Sequence, residues 1–203
     1  PELFLPISIG SLPETIRLGE LTVEPFAIPH DAADPVGFVL TNNGAKCTVA
    51  TDVGFVTEPV RTALADADVL VLESNHDVTM LKNGPYPRMQ QRILSNRGHL
   101  SNADAAWTLA KLPPRPSLDV FLAHLSHENN TPSLAYNTVR DVLDTAGRLS
   151  SVRLFVTSQE RRVTNCLEGA IEDEHQTDLA ADGDAAGGYF DRSRACARLQ
   201  PGF

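Results

Sequence analysis

Cysteine is scarce. The three present, Cys47, Cys166 and Cys196, are too widely spaced for a disulfide framework or a zinc knuckle, and this usage predicts a reducing, cytoplasmic setting. Long apolar runs are missing: nothing approaches the roughly 18 residues of a membrane span, so no membrane partner is expected. No basic segment followed by an apolar one opens the chain as a secretion signal would. Basic residues are outnumbered, 17 against 26 acidic, and the net charge of -9 argues against nucleic-acid binding by bulk electrostatics alone. A local basic groove or a metal-centred phosphate site stays open. Internal repeats are absent. The chain starts at Pro1 rather than Met, and its first 29 residues contain no histidine although the whole has six. The apolar fraction, 42%, is enough for a buried core at 203 residues.

Strands and helices alternate along most of this length. Residues 21–28 alternate roughly as a strand, with Pro25 placing it at an edge or a bulge. Residues 35–41 and 46–51 read as a strand pair joined by Asn42-Asn43-Gly44, residues that tolerate positive φ. Thr57 is a candidate N-cap for a helix to about residue 67, with Pro59 in the first turn. The continuous apolar run at 68–72 fits a strand buried on both faces. A helix is expected over 86–94 and another over 103–112, the latter capped by Ser101 with Asp104 at the capping-box position. A strand at 118–123, a helix from Thr131 to about 146 and a strand at 152–157 complete the pattern. Residues 1–162 form the expected domain. Residues 163–203, acidic and rich in Ala and Gly, read as a poorly ordered tail.

The polar residues sit where strands end. One strand ends at His30-Asp31, one at Asp52, one at the run from Glu73 to Asp77, and the apolar run Val120-Phe121-Leu122-Ala123 stops at His124. Strand ends converge on one sheet edge, so these groups are candidates for one site, with His99 just before the Ser101 cap able to join. Histidine and carboxylate without thiolate suit zinc, manganese or iron.

Taken in order, five segments resemble the metallo-β-lactamase fold, and within it the bacterial YycJ/WalJ-type hydrolases, which are similar to the superfamily's nuclease branches. They are His30-Asp31-Ala32-Ala33-Asp34-Pro35-Val36-Gly37, Ala50-Thr51-Asp52-Val53-Gly54, Glu73-Ser74-Asn75-His76-Asp77, Gly98-His99-Leu100-Ser101-Asn102 and Leu122-Ala123-His124-Leu125-Ser126. The resemblance implies an α/β fold, a four-layer αββα sandwich, with two divalent metal ions at the strand ends. It implies His30 on the first metal, Asp52 bridging both and His124 on the second. It also implies a proton-donating dyad of Glu73 and His99, as in related transfer-RNA-processing enzymes. Two cations would activate a water and neutralise a phosphodiester's developing charge, while a carboxylate-oriented imidazole protonates the leaving oxygen. His76 and Asp77 are candidate supporting residues behind the metals, or equally a turn that bonds its own backbone. Ser126 is a candidate supporting or substrate residue, and His127, Glu128, Asn129 and Asn130 shape the substrate entrance or cap their loop.

The chain departs from this pattern at one place. The superfamily's His-x-His-x-Asp-His motif, expected upstream of His30, is not there, so the resemblance implies the C-terminal part of a longer, N-terminally incomplete sandwich with apolar sheet surface left open. The expected function is a metal-dependent hydrolase, a phosphodiesterase with nucleic acid as a possible substrate. Hydrolysis of a small ester or thioester on the same fold is the runner-up, and a non-catalytic binding module is the alternative from another class. Oligomeric state cannot be read from the sequence.

Overall fold

The computed structural model describes residues 14–85, 87–158 and 163. The expected acidic tail therefore lies outside the described residues, apart from Val163. One seven-stranded sheet runs in chain order from β1 to β7. β1 (Ile16–Leu18), β2 (Leu21–Ala27), β3 (Val36–Asn42) and β4 (Ala45–Ala50) form an antiparallel meander. β5 (Val69–Glu73), β6 (Leu118–Ala123) and β7 (Val152–Val156) then add in parallel to β4.

The sequence explains the switch. Asn43 and Gly44, at φ 49° and 82°, supply the two left-handed residues of a tight β3–β4 hairpin. The parallel strands instead need crossovers, which the helices provide. α1 (Glu58–Leu64) links β4 to β5. α2 (Val78–Asn83), α3 (Pro87–Ile93) and α4 (Asn102–Lys111) link β5 to β6, and α5 (Pro132–Thr145) links β6 to β7. Each crossover has an intelligible start: the side chains of Thr57, Asp77, Ser101 and Thr131 accept the backbone N–H three residues on. β1 pairs with β2 only as far as Val23, so Pro25 sits where β2 is the edge of the sheet.

Alternate residues serve the two faces. Leu70, Leu72, Val120 and Leu122, all buried, join Val60, Leu64, Ala106, Leu109, Val139 and Leu143 of the helices in one core. Val71, Phe121 and Phe155 point the other way and are only partly buried, with Phe121 and Phe155 stacked at 4.8 Å between centroids. On that face Arg153 grips Asp119 bidentately, at 2.5 and 2.7 Å. The expected second sheet of the sandwich is not among the described residues.

Because β4, β5 and β6 are parallel, Asp52, Glu73 and His124 emerge at the same edge. β2 runs in the same direction as β4, two antiparallel steps away, so the loop carrying His30 reaches that edge too.

Candidate active site

The cluster is built around two carboxylates. Asp52 follows β4 at φ 59°, a left-handed backbone that few non-glycine residues adopt. Its Oδ1 stands 3.6 Å from His30 Nε2, 3.7 Å from His99 Nδ1 and 3.6 Å from His124 Nδ1. Those distances exceed good hydrogen-bond lengths, so the half-exposed Asp52 carboxylate faces three imidazoles without hydrogen-bonding any of them. The rings pack at a tilt, His30 to His99 at 4.9 Å and 55°, and His99 to His124 at 5.2 Å and 56°.

Glu73, the last residue of β5, is fully buried. Its Oε1 accepts from His99 Nδ1 at 2.8 Å and from His124 Nδ1 at 2.7 Å, and its Oε2 accepts the backbone N–H of Val53 and Leu100 at 2.7 and 3.1 Å. Burial alone would push this carboxyl's pKa up. The hydrogen bonds from His124 and His99, the charge of His99 and the Val53 N–H together bring it below the ordinary value. The same bond from Glu73 holds the His124 imidazole above its usual range, against the opposing effect of burial. One carboxylate therefore orients two histidines, where the sequence suggested a pairing with His99 alone.

His30 is anchored differently. Its Nδ1–H donates to the Gly98 carbonyl at 3.0 Å, which leaves Nε2 facing Asp52 and, at 3.3 Å, Asp31. Gly98 has to be glycine here, because a Cβ would lie 2.1 Å from the Ile93 carbonyl oxygen. Asp31 also receives Arg92 bidentately, at 2.5 and 2.8 Å, and this guanidinium holds the Asp31 carboxyl below the usual carboxylate range. All three imidazoles thus have Nδ1 tied to an oxygen acceptor, the arrangement that fixes tautomer and ring direction in metal-binding histidines.

Ligand atoms of Asp52, Glu73, His99 and His124 lie within 4.8 Å of one another, so distance alone would allow these four to hold one ion. Glu73 is a poor choice of ligand, since both its oxygens are already saturated by two imidazoles and two backbone N–H groups. The donor set His30, Asp52 and His124, nitrogen and oxygen with every Nδ1 anchored, fits a divalent cation of borderline softness.

The remaining candidates hold the loops together. The Asp77 side chain accepts the Met80 N–H at 2.8 Å and caps α2. Ser126 Oγ accepts the Asn129 N–H at 3.2 Å, and the Asn129 carbonyl accepts the Asp77 N–H at 2.8 Å. His76 is buried, and neither ring nitrogen has a hydrogen-bond partner among the described residues. Burial lowers its pKa from 6.5, so the unfolded chain takes up a proton that the folded chain resists. Stability is therefore unaffected by His76 above that pH and falls as pH drops below it, by up to about 1.4 kcal/mol per unit. Denaturant unfolding at pH 7.5 and 5.5 should show a smaller acid-induced loss in His76→Leu than in the unaltered protein; equal losses would contradict this.

Sequence reasoning missed Asn75 and Asn102, and placed Asn130 only at the substrate entrance or as a loop cap. Asn75 Nδ2 donates to the His124 carbonyl at 2.8 Å, supporting a residue held at φ 57°. The buried side chains of Asn102 and Asn130 bond each other at 2.9 Å, and Asn130 Nδ2 also reaches the carbonyls of Ser74 and Asn75 at 2.9 and 3.0 Å. This network locks the loops that carry Glu73, His99 and His124. Each of the pair stands beside an N-cap, Ser101 or Thr131, which is the one local signal that marked them.

The sequence profile of the beta-lactamase superfamily domain matches residues 6–124, more than half of the chain. Among curated proteins the chain is similar to "Exodeoxyribonuclease YycJ" of Bacillus anthracis, with 39% identity over 140 residues covering 68% of this chain and 53% of that one. It is also similar to "Exodeoxyribonuclease WalJ" of Streptococcus pneumoniae serotype 2, with 35% identity over 132 residues covering 64% and 49%. The chain spans about half the length of these curated relatives. A looser likeness, to Zn(2+)-bound PqqB from Methylobacterium extorquens, has 18% identity and a TM-score of 0.49 over 71% of this chain and 48% of that one. No helix among the described residues is long and apolar enough to cross a membrane. With the profile match falling on the segments from His30 to His124, the chain belongs to the metallo-β-lactamase superfamily.

Proposed function

We propose that this chain carries the hydrolytic site of a metal-dependent phosphodiesterase that acts on DNA. The observation that carries the reading is the buried Glu73 carboxylate, shared by His99 and His124 beside the Asp52 carboxylate that faces the same imidazoles. Superfamily membership implies divalent metal ions. His30, Asp52 and His124 would hold them, two ions with Asp52 shared, and zinc, manganese or iron suits these donors. Such ions, when bound, lower the pKa of a water and screen the charge that gathers on phosphoryl oxygens.

The chain's own residues supply the rest. Glu73 fixes Nδ1 of His99, so Nε2 is the atom left to give a proton to the departing ester oxygen. Glu73 also fixes His124, so one buried anchor sets both the proton donor and a metal ligand. Asn75 and the Asn102–Asn130 pair hold the loops in register. The names of the curated relatives point to removal of nucleotides from a DNA end, and the free Cys47 accords with a reducing, cytoplasmic setting.

The test is to incubate the metal-loaded protein with end-labelled DNA, with and without chelator, beside a small carboxylic ester and a thioester. Nucleotide release that a chelator abolishes is expected. Turnover of the ester or thioester with the DNA left intact would replace this reading by hydrolysis of a small substrate.

A further inference from the structure

Eight large apolar side chains are exposed among the described residues, and three of them, Phe55, Leu94 and Trp107, line one open cleft of about 640 Å³. Trp107 is half exposed, which is costly for so large a ring unless something covers it. The cleft adjoins the candidate site. Gly54 in its wall stands two residues from Asp52, and Leu100 follows His99 directly. Gly54 is so close to the loop after α3 that a Cβ there would meet the Asn96 carbonyl oxygen at 2.3 Å and the Arg97 Cα at 2.8 Å.

Arg97 stands beside this wall of the cleft, in a protein of net charge -9. At the far end of the cleft, on α4, lies Lys111. Neither Lys111 nor the Arg97 guanidinium has an ion-pair partner among the described residues. The lining also holds the Asp104 carboxylate, which accepts the Ser101 hydroxyl at 2.6 Å, and Arg61, which is held by Glu58 at 3.0 Å.

We infer that this cleft receives the unpaired nucleotides of a single-stranded polynucleotide beside the cleaved bond, with Phe55 and Trp107 stacking on bases and Lys111 and Arg97 meeting phosphates. The inference rests on the phosphodiesterase reading above and names its substrate form. Exposed aromatic faces interleaved with cations bind single strands without regard to sequence. Bases stacked inside a duplex cannot present their faces to such platforms.

Trp107 is the chain's single tryptophan, so its emission reports directly on the cleft. The full chain, in chelator so that nothing is cleaved, is titrated with an oligothymidylate and with a duplex of equal length. Quenching by the single strand is expected, tighter than by the duplex. Phe55→Leu should weaken binding about tenfold, and Lys111→Gln should reduce the slope of log K against log salt by about one. In the metal-loaded protein, Trp107→Leu should raise the KM for the single strand about tenfold with kcat retained. Absence of quenching, an unchanged KM in Trp107→Leu, or emission that follows protein concentration rather than added strand would overturn the inference, the last pointing to a second copy of the chain as occupant. Quenching by the single strand without hydrolysis of any phosphodiester by the unaltered, metal-loaded protein would support the cleft as a strand-binding surface and sink the hydrolase reading instead.

Discussion

Glutamine in place of Glu73 should lower turnover by about 10²–10⁴-fold while the protein stays folded. The reason lies in the donor and acceptor count. Glu73 accepts four N–H groups, two from imidazoles and two from backbone. An amide has one accepting oxygen and one donating nitrogen. If its oxygen faces His99 and His124, its NH₂ is driven against the N–H groups of Val53 and Leu100. If it is turned the other way, the NH₂ faces both Nδ1 atoms and forces the proton of each ring onto Nε2. His124 then loses the lone pair it needs as a ligand. The first orientation leaves two buried backbone donors unpaired, at about 1–3 kcal/mol, and either one removes the carboxylate charge that raises the His124 pKa. The measurements are kcat, metal content by elemental analysis and a denaturant melt on one preparation. Turnover within a few-fold of the unaltered enzyme would contradict the shared-anchor role.

Asp52→Asn should cost metal and activity together. Asparagine tolerates positive φ, so the substitution keeps the φ 59° backbone and removes only the charge. Alanine would confound the two effects. Residues one step behind a metal typically change affinity by about 10–100-fold when altered, and a shared carboxylate ligand should exceed that. Hydrolysis should be undetectable at metal concentrations that saturate the unaltered enzyme, and excess metal should restore it in part. Full loading and full activity in Asp52→Asn would remove Asp52 from the metal site.

How much of this was legible in the sequence follows from where each partner sits. Apolar runs announced β5 and β6, and Thr57, Ser101 and Thr131 announced their helices, because a cap and its acceptor lie three residues apart. β1, with three residues, and α2, with six, are too short to show a period. The histidines and carboxylates were legible as residues at strand ends. Their geometry was not. Glu73 meets His99 across 26 residues and His124 across 51, and Asn130 reaches Ser74 across 56. The anchor of His30 is a backbone carbonyl, that of Gly98, and a carbonyl leaves no mark in the residue it belongs to. The continuous apolar run at 68–72 likewise suggested two buried faces without showing that, in the described residues, only one carries helices.

The most direct test of the central claim, that Glu73 poises His99 to protonate a leaving oxygen, is to compare His99→Ala with the unaltered enzyme on two phosphodiesters. One has an alkoxide leaving group and the other a stabilised phenolate that departs without a proton. Metal content is measured on the same samples. Loss of about 10²–10⁴-fold on the alkoxide substrate, little loss on the phenolate and unchanged metal is the predicted result. Equal losses on both substrates, or metal lost along with activity, would make His99 a ligand rather than an acid and contradict the account.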